Sequence, residues 1–307
     1  MNQIKTVDSL SIDELKERIQ AGRDLLLLDT LPKAHYQQIH LPGAANACVF
    51  EVTFLNQVAA IDADKTRPVM VYGVSDQTHD ARTAAEKLLR AGYQQVAVLV
   101  GGLAAWRNAG YPLEGDAGQA AGRPTTRLAE GTFPVDVEAS LIEWAGRNPN
   151  TTHRGRLRLS AGEVQIKAGR IEGRFTIDMR SIENINLAGS DLQPVLEGHL
   201  KSDDFFFVEL FPEAHLEMTA TPITTTLPAS APNYEVTGRL QLRGVGADLQ
   251  FPATIVPTED GRITAEAHFD FDRTRWGVIY GSSKFFEQLG KHLVFDLVSL
   301  QVRILTS

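Results

Sequence analysis

Apolar positions follow two different rhythms along the chain. Up to about residue 115 they come as short unbroken blocks: residues 25–28, closing on Asp29, then residues 69–72, then residues 96–100. Between the last two blocks lies the segment 80–91, rich in Ala, Leu, Lys and Arg and followed by Gly92, which predicts a helix with a C-terminal glycine. Ser11-Ile12-Asp13-Glu14 is a capping box at the head of another helix. Strands without alternation are buried on both faces, so these blocks predict a parallel sheet covered by helices.

Past residue 133 the period is two. Val164 and Ile166 alternate with polar neighbours, as do Ile171, Phe175, Ile177 and Met179 with Gly173 in phase. Tyr234, Val236, Leu240 and Leu242 repeat the pattern, then Leu249, Phe251, Ala253 and Ile255, then Ile263, Ala265, Ala267, Phe269 and Phe271. The last run is Val294, Asp296, Val298, Leu300, Val302 and Ile304, with one acidic member. Period two over many segments predicts antiparallel strands with one buried face, packed as a sandwich or closed as a barrel. Helical interruptions are predicted near 190–200 and 283–289. Between the two rhythms, residues 115–132 read GDAGQAAGRPTTRLAEGT, small and polar without apolar period. The expected organisation is therefore a domain over 1–115, a linker over 116–132 and a second domain over 133–307, a multidomain α/β plus all-β chain.

The 307 residues leave room for two cores. A net charge of −8 without a Lys/Arg run argues against gripping a phosphate backbone, so no nucleic-acid partner is expected. The single cysteine, Cys48, excludes an internal disulfide, and its apolar surroundings read as a small buried hydrophobe. The first twenty residues lack a leader pattern, and no run of eighteen apolar residues predicts a spanning helix, so the cytoplasm is the expected compartment. His153, His199, His215, His268 and His292 lie too far apart to form a local metal motif, and no metal or obligatory cofactor is expected. Nothing in the sequence sets the oligomeric state.

The segment His40-Leu41-Pro42-Gly43-Ala44, and the segment 96–115 with Gly101, Gly102, Trp106 and Gly110, resemble the rhodanese family over about residues 5–115. That resemblance implies a catalytic cysteine at the end of the strand 69–72, in a loop whose backbone N–H groups hold an anion and lower the thiol pKa. This chain has Gly73 there, and the loop Gly73, Val74, Ser75, Asp76, Gln77, Thr78 and His79 contains no cysteine. The family's frequent Asp-Val-Arg becomes Asp29-Thr30-Leu31. A hydroxyl of Ser75 or Thr78 with His79 as base cannot make a persulfide, and Asp76 and Asp80 would repel an anion. His35 and His40 read as structural hydrogen-bonders. The expectation is an inactive adaptor that binds a protein or an anion.

The segment His199-Leu200-Lys201-Ser202-Asp203-Asp204-Phe205-Phe206, with Phe211-Pro212 behind it, resembles the YceI-like family over about 133–305. Arg180-Ser181-Ile182, the hairpin at Arg243-Gly244-Val245 and the turn 271–277 extend the likeness. The family often has His at 243 and Thr-Lys-Pro at 246–248, where this chain has Gly-Ala-Asp. The resemblance implies a lipocalin-like barrel for an apolar ligand, an isoprenoid lipid or quinone. Phe175, Phe205, Phe206, Phe269, Phe271 and Trp276 are the candidate wall. His199, Lys201, Ser202 and Arg243 are candidate polar contacts at its mouth. For single aromatics, core filling is the competing reading. The alternative for the whole chain is a sulfurtransferase-like or phosphatase-like enzyme using the 73–79 loop or Cys48.

Overall fold

The structure is a computed structural model that describes residues 7–116, 128–224, 230–258 and 260–307. The chain divides into two compact units, 1–124 and 125–307. Residues 117–127, most of the predicted linker, lie outside the described residues.

The first unit alternates strands and helices: β1 (Asp8–Leu10), α1 (Ile12–Gln20), β2 (Leu26–Asp29), α2 (Lys33–Gln38), β3 (Ala45–Asn46), α3 (Phe54–Ile61), β4 (Val69–Tyr72), α4 (Asp80–Arg90), β5 (Val96–Leu99) and α5 (Gly102–Asn108). The five strands form a parallel sheet in the order β1-β5-β4-β2-β3. The unbroken apolar blocks are explained by its two cores. Leu26, Leu28, Val69, Val71 and Val96 pack on one side against Phe54 and Val58 of α3 and Ala84, Ala85 and Leu88 of α4. Leu27, Met70, Tyr72 and Leu99 pack on the other against Leu15 of α1 and Leu103 and Trp106 of α5. The capping box is formed: the Ser11 hydroxyl accepts from the Glu14 N–H, and the Glu14 carboxylate accepts from the Ser11 N–H at 2.8 Å.

The second unit is antiparallel. Its strands are β6 (Gly131–Pro134), β7 (Leu141–Arg147), β8 (Thr152–Lys167), β9 (Arg170–Asn184), β10 (Glu213–Pro222), β11 (Tyr234–Leu242), β12 (Val245–Pro257), β13 (Ile263–Asp272) and β14 (Leu297–Leu305), with α6 (Leu192–Lys201) between β9 and β10. The sheet runs β8-β7-β14-β13-β12-β11-β10-β9, and β9 pairs back onto β8, which closes an eight-stranded barrel. β6 adds to the far half of β8. Two hairpins are two-residue turns with both residues at positive φ: Ala168-Gly169 (50° and 78°) and Arg243-Gly244 (51° and 74°). That geometry matches the twist of the flanking strands and fixes their register.

Register places every connection longer than a tight turn at a definite end. The β7–β8 turn, the segment 185–212 with α6, the Arg243-Gly244 turn and the long connection 273–296 all emerge at one end, called here the α6 end. The helix expected over 283–289 is absent. The Phe285 and Phe286 N–H groups both turn back to the Ser282 carbonyl, Gln288 has φ 55°, and a short 3-10 turn follows at Gly290–His292. Phe285 and Phe286 stay exposed, so no apolar face is buried to hold a helix there. Val294 and Asp296 likewise precede β14 rather than belong to it.

Candidate functional site

An eight-stranded barrel is narrow enough for side chains to fill it or for one small ligand to occupy it, so the size of the inward residues decides. Here several are small. Ala214, Ala253, Ala265, Ala267 and Gly146 all face the interior, and the barrel encloses a cavity of about 390 Å³. That exceeds the apolar cavity of roughly 150 Å³ that stays dry and binds benzene in an engineered protein, and lies within the range of small-molecule sites. The wall is the period-two set read from the sequence: Ile171, Phe175, Ile177 and Met179 of β9, Leu249, Phe251, Ala253 and Ile255 of β12, and their counterparts on β11, β13 and β14. Phe251 of β12 and Phe269 of β13 stack face to face in the lining, 4.0 Å between centroids.

The cavity is closed at the end away from α6 by buried Ile255, Ile263, Ile304 and Thr306. Lining residues exposed to solvent, Lys291, His292 and Phe295, lie at the α6 end, which is the mouth. Most polar lining residues gather there too: Arg147, Asn148, His153, His199, Arg273 and Tyr280. Leu192, Val195, Leu210, Phe285 and Phe286 are exposed apolar side chains of the same end.

Arg273 holds the mouth together. It is 2% exposed, and its guanidinium donates to the carbonyls of Val278 (2.6 Å), Tyr280 (2.8 Å), Val294 (3.1 Å) and Phe295 (3.2 Å). Asp296, at 3.7 Å, supplies its counter-charge, and Lys284 reaches the other Asp296 oxygen at 3.3 Å. Burial pulls the Arg273 pKa down and the two aspartates beside it, Asp296 and Asp272, push it back up. The side chain pins both arms of the 277–296 connection to the end of β13, and the acidic member of the last period-two run is its partner.

Of the predicted site residues, Phe175, His199, Phe205, Phe206, Phe269 and Phe271 line the cavity. His199 packs edge-on between Phe205 (4.9 Å) and Tyr280 (4.8 Å), with its Nε2 3.1 Å from Asp204. The other four stand outside the lining. Trp276 is fully buried, donates to the Leu240 carbonyl at 2.8 Å and packs edge-on against Phe271. Arg243 ties its hairpin to the Gly277 carbonyl (2.8 Å) and the Asp203 carbonyl (2.6 Å). The Ser202 hydroxyl donates to the His199 carbonyl at the end of α6, beside Lys201. Sequence reasoning missed Trp144, His153 and Arg273. Trp144 on β7 is 8% exposed, and burial holds the His153 imidazole below its usual pKa.

In the first unit, Gly73 follows β4 and is buried. The space a side chain would need there is occupied by the carboxylate of Asp80, the first residue of α4. Asp80 Oδ2 accepts the Val74 N–H at 3.1 Å, and Asp76 Oδ1 accepts the Gly101 N–H at 2.5 Å. The two carboxylates thus take up one backbone donor of the loop and one at the head of α5. The Thr78 hydroxyl donates to the Ser75 carbonyl, and the Ser75 hydroxyl accepts the Gln77 N–H. Gln77 and His79 are exposed. Cys48 is 5% exposed, on the stretch after β3.

The family model for the YceI-like domain matches residues 133–305, more than half of the chain. The chain belongs to the YceI-like family. The family model for the rhodanese-like domain matches residues 11–109, so this YceI-like protein carries a rhodanese-like domain ahead of its barrel. Among solved structures, BcnA of Burkholderia cenocepacia is 19% identical, over 56% of this chain and 99% of that one, with a TM-score of 0.43. A polyisoprenoid binding domain from Saccharophagus degradans is 14% identical, over 57% of this chain and 97% of that one, with a TM-score of 0.43. The adenylyltransferase and sulfurtransferase UBA4 of Candida albicans is 32% identical over 91 residues, 29% of this chain. The chain spans about a fifth of that relative's length, 20%. Among the described residues no helix is long and apolar enough to cross a membrane, and no cluster of three or more His, Cys, Asp or Glu is placed to hold a metal.

Proposed function

We propose that the YceI-like barrel holds one extended apolar lipid of the isoprenoid type, a polyprenyl chain or an isoprenoid quinone, and that the rhodanese-like domain is a protein-binding adaptor without sulfur-transfer activity. The observation that carries the first part is the cavity: about 390 Å³, walled by aliphatic and aromatic side chains and open at one end. From Ile263 at the closed end to Phe271 near the mouth, tilted strands span roughly 20 Å. A long, narrow lumen suits a chain better than a compact ligand. Each buried methylene of such a tail contributes about 0.8 kcal/mol, so binding needs few polar contacts. The exposed apolar residues of the α6 end lower the cost of passing a tail between the lumen and a bilayer or another carrier.

The adaptor reading is supported by a loop without a thiol and by the carboxylates of Asp80 and Asp76 sitting on the Val74 and Gly101 N–H groups. Among the described residues no observation favours the enzyme alternative. The loop hydroxyls bond within the loop, and Cys48 lies outside it.

Organic extraction of the protein purified from cells, followed by mass spectrometry, tests the first part. An isoprenoid lipid at about one per chain is expected, and an extract without stoichiometric lipid would refute it. A thiosulfate–cyanide assay, with and without alkylation of Cys48, tests the second. No turnover is expected, whereas turnover abolished by Cys48→Ser would establish the enzyme.

A further inference from the structure

Two buried polar atoms of the cavity wall have no hydrogen-bond partner among the described residues: Nε1 of Trp144 and Nδ1 of His153. They sit on neighbouring strands. Trp144 pairs with Gly155 and His153 pairs with Gly146 in the β7–β8 register, so the two side chains are diagonal neighbours on the inner face near the mouth. The two glycines make the room. A β-carbon on Gly155 would overlap the indole ring of Trp144, and a β-carbon on Gly146 would meet nothing within 4 Å. The result is a small open space on the wall, at the end of an otherwise apolar lumen, beside two unmet polar groups.

The chemistry of those groups restricts what they can receive. An indole N–H only donates, so it calls for an acceptor. Burial lowers the His153 pKa, which favours the neutral ring. The cationic side chains of the lining are engaged or peripheral. Arg147 donates to the Ser299 hydroxyl at 2.9 Å, Arg273 donates to four carbonyls, and Lys291 is exposed at the rim. A charged head brought to this place would lose its hydration without a dedicated counter-ion.

Building on the reading that the barrel holds an apolar lipid, we infer that the head of that lipid is an uncharged oxygen acceptor, a carbonyl or alcohol oxygen, received by the Trp144 N–H with the His153 ring beside it. The tail then runs from this point to the closed end at Ile263 and Ile304.

Farnesol, farnesyl diphosphate and farnesane share one carbon skeleton and differ in the head. Calorimetric titration of each into the full chain, freed of co-purified lipid, reads the head directly. Farnesol is expected to bind about tenfold more tightly than farnesane. In Trp144→Phe, which keeps an aromatic ring and removes the donor, the ratio of farnesol to farnesane affinity is expected to fall to about one. Equal binding of farnesol and farnesane to the wild type, tighter binding of the diphosphate, or an unchanged preference in Trp144→Phe overturns the inference and leaves the lipid cavity standing. Failure of all three to bind removes the cavity's proposed role and the head site with it. The wild-type comparison decides the matter even if the Trp144 variant does not fold.

Discussion

Gly73 and the side chain of Asp80 occupy the same space: a β-carbon added to Gly73 would overlap Oδ2 and Cγ of Asp80. A thiol placed at residue 73 would therefore meet that carboxylate. Gly73→Cys is expected to destabilise the rhodanese-like domain by about 1–3 kcal/mol through overpacking, without thiosulfate turnover. Gly73→Cys combined with Asp80→Ala is expected to recover most of that stability, because the second change removes the clashing carboxylate. Denaturant unfolding and a thiosulfate–cyanide assay on both variants check this. Turnover by the single variant would contradict it.

Arg273 gives a second prediction. Arg273→Met fills a similar volume but leaves the Val278, Tyr280, Val294 and Phe295 carbonyls without their donor and Asp296 without its partner. Breaking a buried charged network by removing one member costs about 3–5 kcal/mol. Urea unfolding of the barrel should show a loss of that size, and hydrogen exchange should speed up over 277–296. A change under about 1 kcal/mol would mean that the connection is held by something else.

Gly146 offers a way to close the lumen without disturbing the wall. Its backbone is ordinary strand and the space before it is open. Gly146→Leu should leave unfolding within about 1 kcal/mol of wild type, since the position gains strand propensity. The bound lipid recovered by organic extraction should fall well below one per chain. Unchanged lipid content in a folded Gly146→Leu protein would contradict the placement of the ligand.

Asp29, at the end of β2, is fully buried, with one oxygen accepting the Leu31 N–H at 2.8 Å and the other unpartnered among the described residues. Burial raises its pKa, against the opposing Leu31 hydrogen bond. Because the folded value is raised, its contribution to stability is fully present below the ordinary Asp value and is lost as pH rises through the folded value. Asp29→Asn keeps an acceptor for Leu31 and removes the charge. At neutral pH the variant's β2 amides should exchange more slowly than those of wild type, and the difference should close in acid. A variant less protected at neutral pH would show that the ionised carboxylate is needed.

Most of the architecture is legible in the sequence because burial geometry imposes periodicity. Unbroken blocks become the two-sided sheet, and period-two runs become the barrel wall. β8 shows where that signal fails. Its paired register shifts between Arg156 and Arg158 and again between Leu159 and Ala161, so inward positions pass from Gly155, Leu157 and Leu159 to Gly162, Val164 and Ile166. A bulge flips parity, and only the run behind it, Val164 and Ile166, stood out. The mouth was the least legible part. Trp144 and His153 become a pair only through the β7–β8 register, and Arg243 and Trp276 look like ligand contacts until their backbone partners are seen. Whether aromatic residues plug or line a barrel depends on the alanines and glycines opposite them, which no single strand reveals.

A crystal structure of the full chain, purified from cells without added detergent or lipid, tests the central claim most directly. The account predicts continuous, chain-shaped density along the lumen from the Ile263 and Ile304 end to Trp144 and His153, with Phe251 and Phe269 still stacked on each other. A lumen closed by its own side chains, with those rings turned inward to fill it, would contradict the account.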